Sequence, residues 1–444
     1  MTSQSTISDS PLPPGSFGLP LLGETLNFFR EPDFVEKRRK KYGNVFKTHI
    51  FGRPTAIMLG AEANRFILTN EHKYFAATWP KSTRILLGAN SLAVGTGNFH
   101  TSRRKLMYQA FQPRALASYL PVIEAITANY LERWQQMGTL TWYPELRNYT
   151  FDIACKLFVG QDNASETLLC HLFEDWCAGL FSLPIALPWT RFGKALHCRK
   201  GLLREIEKII LQRQKEDNKG EDALGILLKA EDEQGNRLSL DELKDQILLL
   251  LFAGHETLTS ALASFCLLMC QHPDALEKIR QEQQKFDDSV PLTTEELKQM
   301  NYLEQVLKEV LRLIPPVGGG FRQVIEDCQF QGYHIPQGWN VQYPIRTTHQ
   351  DATLYPNPKQ FDPQRFASEN VADKQPLFGY VPFGGGLREC LGKEFAKLEM
   401  KIFAAMLVRR CQWKLLPNQD LTLIAIPTPH PRDGLQVKFH EVVN

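Results

Sequence analysis

Apolar and polar positions alternate over Val45 to Phe51 and again over Thr55 to Leu59, which predicts two short strands. Gly52-Arg53-Pro54 between them is a turn signal, so a hairpin is expected. Upstream, residues 11–23 carry too many prolines and glycines for a helix and read as extended, and Lys37 to Lys41 ride on a first short helix. From about residue 100 to 315 the apolar positions recur at helical spacing. One helix is marked at both ends: Ser239-Leu-Asp-Glu242 has the spacing of a capping box, and the pattern runs on to His272-Pro273. Such a helix spans about 45 Å, enough to cross a domain. A second, around Leu303 to Leu313, stops at Pro315-Pro316. Beyond it Gly332 to Tyr343 predicts a small sheet, residues 352–389 show little periodicity, a helix runs from after Cys390 to about Arg410, and a β-rich tail closes the chain. The expected fold is mostly α with a small β-rich portion (α+β), in one domain over residues 1–444 without repeats.

Composition narrows this only a little. The 444 residues include 43% hydrophobic and 23% charged residues, an ordinary globular balance, and a formal charge of +2 gives no bulk attraction to nucleic acid. Nine cysteines is an odd number and none lies in a C-x-x-C pair, so reduced thiols fit better than a disulfide framework. Met1 to Ser10 lack the basic start and apolar core of a signal peptide. Ile247 to Ala253 is the longest apolar run and meets Gly254, His255 and Glu256, so no membrane span is expected and a soluble, cytoplasmic protein is.

The chemistry concentrates in Phe383-Gly-Gly-Gly-Leu-Arg-Glu-Cys-Leu-Gly392. Glycines before a cysteine permit a tight turn and close approach of a flat ligand to the backbone. A cysteine just ahead of a helix is placed to be a thiolate, and a thiolate on haem iron favours O–O cleavage. A cysteine on its own is most often a small buried hydrophobe, and the other eight take that reading. Cys390 does not, because five positions fit F-x-x-G-x-R-x-C-x-G at fixed spacing.

By that motif the chain resembles the cytochrome P-450 family. Glu309-Val-Leu-Arg312 is similar to the family's E-x-x-R, Pro363-Gln-Arg365-Phe366 to its P-x-R-F, and Ala253-Gly-His-Glu-Thr257 to its oxygen-binding A-G-x-[DE]-T, with Leu258 where many members have Thr or Ser. The resemblance implies a haem b held between the long helix and the cysteine loop, with Cys390 as axial ligand and O2 as cosubstrate. It makes Glu309, Arg312 and Arg365 a structural ionic triad, where an isolated i, i+3 pair would be a solvated one. It implies that Glu256 and Thr257 relay protons during oxygen activation, with Ala253 and Gly254 leaving room beside the helix; on their own these would be a surface charge and an ordinary helix residue. Arg322, Arg388, His100 and Arg104 would meet the haem propionates, and Phe383 would pack on the haem. Arg103 and Lys105 are expected to be solvated, or to form an electron-donor patch with Lys393 and Lys397.

Within the family the chain is most similar to the retinoic acid hydroxylases, in Pro13-Pro-Gly15, Lys47 to Pro54, Trp79-Pro80, Pro315 to Arg322, Ile335 to Val341, Gly392 to Ala396 and Pro429 to Leu435. The animal enzymes begin with a membrane anchor, whereas this chain begins at its proline-rich segment (1–25), which points to a soluble bacterial relative. The implied activity is monooxygenation of an apolar acid or isoprenoid, retinoic acid first. No reductase domain follows, so electrons are expected from a ferredoxin- or flavodoxin-type donor and its reductase. Trp79, Leu86, Leu87, Phe181, Phe252, Val317 and Thr428 are candidate substrate contacts, each also readable as core, and Arg84 or Arg53 is the guess for the carboxylate partner. The apolar, proline-broken Leu180 to Trp189 reads as buried packing, or else as a lid making transient contact with a membrane surface. Two readings compete: a haem-thiolate peroxygenase acting on fatty acids, and a haem- or retinoid-binding sensor without turnover. A non-haem enzyme with Cys390 as nucleophile would need a nearby histidine base.

Overall fold

The computed structural model describes residues 10–19, 23–31, 33–371 and 376–441. Met1 to Asp9, read above for a signal peptide, and Pro20 to Leu22 of the proline-rich segment lie outside the described residues. The described residues gather into two compact units. One holds the chain up to Pro80 with Val317–Phe361 and Glu369–Cys390; the other holds Lys81–Pro316 with Asp362–Ser368 and Leu391 onward.

The first unit is built on a five-stranded mixed sheet in the order Val45–Ile50, Arg53–Met58, Asn340–Tyr343, Gly320–Val324, Phe75–Ala77. The predicted hairpin forms, but its turn is Phe51-Gly52, both at positive φ (54° and 75°), while Arg53 and Pro54 enter the strand opposite Ile50 and His49. Two consecutive left-handed residues give the turn the twist that a two-residue hairpin needs, and the glycine supplies one of them. One sheet face buries Val45, Ala56, Met58, Phe75, Val324 and Val341 against the Ala61–Thr69 helix. The predicted sheet around Gly332 divides: Cys328–Phe330 and Tyr333–Ile335 make a separate hairpin, and Asn340–Tyr343 joins the five-stranded sheet.

The second unit is helical around the long helix, Leu240–Gln271. Its capping box forms as the spacing predicts, with Glu242 N donating to Ser239 Oγ (3.3 Å) and Ser239 N to Glu242 Oε2 (2.8 Å). It is the one described helix long and apolar enough to cross a membrane, and 72% of its most apolar window is buried inside the protein, so here it is a core helix. Its nearest companion is the Trp142–Val159 helix, whose Phe158 ring would lie 2.9 Å from a Cβ at Gly254. The 18-residue Lys393–Arg410 helix packs against Pro113–Met137 through Trp134 and Phe403. The tail strands Cys411–Leu415 and Gln436–Glu441 form a three-stranded sheet with Thr139–Thr141.

Candidate active site

Within the first unit the cysteine loop is a closed turn. Cys390 N donates to Phe383 O (2.8 Å), while Gly384 and Gly386 take positive φ (70° and 64°). A Cβ at Gly386 would sit 2.0 Å from Leu68 O, so only glycine lets the loop press onto the end of the Ala61–Thr69 helix. Cys390 is exposed, unlike the seven cysteines that are buried and Cys270, which is partly so. Burial pushes the Cys155, Cys177 and Cys266 thiols far above their ordinary value, which keeps them protonated and inert. Ahead of the loop, Val381 N donates to the buried His349 Nε2 (3.0 Å), a brace that no motif announces.

Arg322 and Arg388 come together in this unit although 66 positions separate them. Arg322 Nε donates to Glu71 Oε2 (3.0 Å) and Arg388 Nε to Glu71 Oε1 (2.9 Å). All three side chains are at most 10% exposed. Glu71 was not singled out in the sequence, because nothing in its turn, Asn70-Glu-His-Lys73, marks it.

In the second unit the long helix is buried along most of its length, but Ala253 is exposed and Phe252, Gly254 and Thr257 are partly so. Thr257 Oγ1 donates to Ala253 O (2.7 Å) and the helix stays α-helical through that turn. Gly254, expected to leave room for a ligand, instead lets Phe158 approach, whereas Ala253 lies on the open face.

Glu256 points the other way. Its side chain is 1% exposed, Oε1 accepts from Arg147 Nη1 (2.9 Å), and Oε2 is buried without a hydrogen-bond partner among the described residues. It is no surface charge. Burial alone would depress the Arg147 guanidinium, but Glu256 first, with Tyr143, Cys177 and Glu174, together outweigh it and hold the group charged. His255 is pushed well below its ordinary value by burial and then by Arg147, so it stays neutral; its Nδ1 shares a hydrogen bond with Thr150 Oγ1 (2.8 Å). Thr428, a candidate substrate contact, is buried and donates its hydroxyl to Glu256 O (3.3 Å), which ties the tail turn to the helix.

The remaining candidates separate into three groups. Arg312 gives two hydrogen bonds to Glu309 (2.6 and 2.8 Å), both side chains fully buried, and Arg365 Nε lies 3.5 Å from Glu309 Oε1. His100 (buried) and Arg104 share the Gly97–Tyr108 helix, on which Arg103 pairs with Glu242 (2.6 Å) rather than standing in solvent. Lys105 meets Glu233 and Lys397 meets Glu394, each at 3.0 Å and exposed. Leu86 and Leu87 are fully buried, and Leu86 O accepts from Trp176 Nε1 and Arg199 Nε, so their backbone is clamped. Trp79 and Phe252 are partly exposed, Val317 and Phe181 exposed, and Arg84 and Arg53 lie at the surface. Of Leu180 to Trp189 only Leu180 is buried packing: Leu183 and Trp189 are 76% and 74% exposed, beside Ile185 and Leu187.

The donor set fits a haem. It offers an exposed thiol, and two buried guanidiniums that converge on one carboxylate, the kind of cationic group that suits a cofactor carrying carboxylates. Comparisons with known proteins agree. The family model described as cytochrome P-450 matches residues 13–439. A protein named putative cytochrome P-450 120, from Synechocystis sp., is 57% identical over all of both chains. Cytochrome P-450 26B1 of Xenopus tropicalis is 39% identical over 97% of this chain and 86% of its own. A solved structure titled retinoic acid bound cyanobacterial CYP120A1 superposes with a TM-score of 0.94 at 57% identity, covering 98% of this chain and 100% of that one.

Proposed function

This chain belongs to the cytochrome P-450 family and is a monooxygenase of it, and from that premise we propose that it hydroxylates a retinoid acid, retinoic acid first. The observation that carries this reading is the 57% identity, over essentially the whole chain, to a protein whose solved structure has retinoic acid bound. The 39% identity to an animal cytochrome P-450 26B1 supports the same substrate class, since the notable sequence likeness to retinoic acid hydroxylases lies outside the shared haem motifs.

The family uses a haem iron and O2, and the thiolate-bound haem supplies the oxygen-activating chemistry. We assign haem b, with Cys390 as its axial ligand, Phe383 beside it, and Arg322, Arg388, His100 and Arg104 as the groups facing its carboxylates. Thr257 holds a hydroxyl on the open face of the long helix, where it can pass a proton. Glu256 stores the acid function behind it, out of water and held by Arg147, so proton delivery requires the carboxylate to leave that guanidinium. Phe252, Trp79, Phe181 and Val317 offer apolar surface to a long conjugated substrate. Electrons come from a separate redox partner, which we assign to the ferredoxin class. The exposed Phe181, Leu183, Ile185, Leu187 and Trp189 are assigned to transient contact with a lipid surface, from which a sparingly soluble acid would be taken.

The test is turnover. Holoprotein supplied with a ferredoxin, its reductase, NADPH and all-trans retinoic acid is expected to give a hydroxylated acid carrying one atom from labelled O2. Oxygenation supported by hydrogen peroxide alone would favour the peroxygenase reading. Retinoid binding without product would favour a sensor.

A further inference from the structure

Glu71 stands where three segments of the first unit converge. The Ala61–Thr69 helix ends at Asn70, whose side chain closes the last turn on Phe66 O (2.8 Å). Asn70 O then accepts from the amides of Lys73, Tyr74 and Phe75, and His72 at φ 68° completes a tight turn into the Phe75–Ala77 strand. That strand pairs with Gly320–Val324 in a register that sets Ala77 opposite Arg322. The cysteine loop meets the same helix end through Gly386 and Leu68. Glu71 therefore projects from a pinned turn toward one arginine delivered by the sheet and another delivered by the loop.

Each of its oxygens takes one guanidinium through Nε, at 3.0 and 2.9 Å, with the carboxylate side chain 2% exposed. The Arg322 Nη1 donates to Phe321 O (2.8 Å), and its Nη2 enters no hydrogen bond among the described residues. A carboxylate that grips both arginines by Nε fixes their planes as a pair, and the Arg322 Nη2 stays available to an anion.

We propose that Glu71 is a positioning residue for the haem: it locks Arg322 and Arg388 as a prepaired clamp for the cofactor's two carboxylates, and its own charge sets part of the field there. This rests on the haem-thiolate reading. Without Glu71 the two guanidiniums repel at close range and lose their shared anchor, so the clamp must be ordered anew when haem binds.

The experiment measures haem transfer from holoprotein to excess apomyoglobin, for natural haem and for haem dimethyl ester, whose carboxylates are masked. With Glu71→Gln, natural haem is expected to leave about tenfold faster, the equivalent of one charge-assisted hydrogen bond. Loss of the dimethyl ester should be unchanged, and the reduction potential of the bound haem should move positive as a nearby negative charge is removed. Equal acceleration for both haems would mean that Glu71 only supports the fold; no acceleration for either would mean that it does not act on the clamp. Each overturns the proposal. Should the Gln variant fail to accumulate, Glu71→Asp, with the charge kept and the reach shortened, is put through the same pair of haems. It is expected to release natural haem faster at a nearly unchanged potential, and the same two contrary outcomes apply. A wild-type protein without a thiolate-haem band would instead defeat the haem reading itself, which the wild-type spectrum reports before any variant is made.

Discussion

Glu256 and Thr257 are neighbours in sequence and have opposite surroundings. The hydroxyl lies on the open face of its helix, and the carboxylate is sealed against Arg147. The pairing makes a sharp expectation. Arg147→Met leaves the Glu256 carboxylate buried without its cation, a loss of about 3–5 kcal/mol in urea unfolding of the holoprotein. A loss below about 1 kcal/mol would show that the pair behaves as a solvated one. Thr257→Ala should leave NADPH consumption running while product per NADPH drops severalfold; unchanged coupling would remove Thr257 from proton delivery. Glu256 and Thr257 were legible because they sit in one five-residue motif. Arg147 was not, because it lies 109 positions away on another helix and an isolated arginine carries no signal. Glu71 was hidden for the same reason, since only the folded turn reveals what it holds.

At the scale of elements, legibility follows how local the cause is. The capping box predicted the start of the long helix because both of its partners lie within four residues. The E-x-x-R pair was readable as one helix face, and the structure brings Arg365 to the same carboxylate. The turn, expected over Gly52-Arg53-Pro54, lies at Phe51-Gly52, since Pro54 looks like a turn residue yet is accepted in the strand opposite His49. The exposure of Phe181 to Trp189 could not be read either: an apolar run signals burial unless the tertiary contacts that would cover it are known. Glu309→Gln tests the triad at this scale. It takes the Glu309 carboxylate away from two buried guanidiniums and should cost roughly 3–5 kcal/mol, so that little haem-bound protein is recovered. Recovery of normal yields and an unchanged unfolding midpoint would mean that the triad does not support the fold.

Over the whole molecule, stability and surface carry their own expectations. Glu399 on the Lys393–Arg410 helix is fully buried, and burial pushes its carboxyl well above the ordinary carboxylate range, with Oε1 in no hydrogen bond among the described residues. In the folded state it keeps its proton to a higher pH than in the unfolded chain, where it ionises around its ordinary value of 4.5. The folded state then binds the extra proton, so this group's contribution falls as pH rises, by roughly 1.4 kcal/mol per unit until the folded value is reached. Glu399→Gln should flatten that decline as pH rises above 4.5 and become the more stable form relative to the parent with increasing pH. An unaltered slope would show that the carboxyl is ionised in the fold. For the surface patch, replacing Phe181 and Trp189 by Asp should weaken liposome association and slow uptake of membrane-borne retinoid; unchanged association would leave the patch without that role.

The central claim, a thiolate-bound haem beside an apolar site for a retinoid acid, is tested most directly by titrating purified holoprotein with all-trans retinoic acid and following the Soret band. A saturable shift toward the high-spin form is the predicted result, since a ligand seated over the haem displaces the water on the iron. A normal thiolate-haem spectrum that does not respond would contradict the retinoid assignment, and the absence of any thiolate-haem band would contradict Cys390 as the ligand.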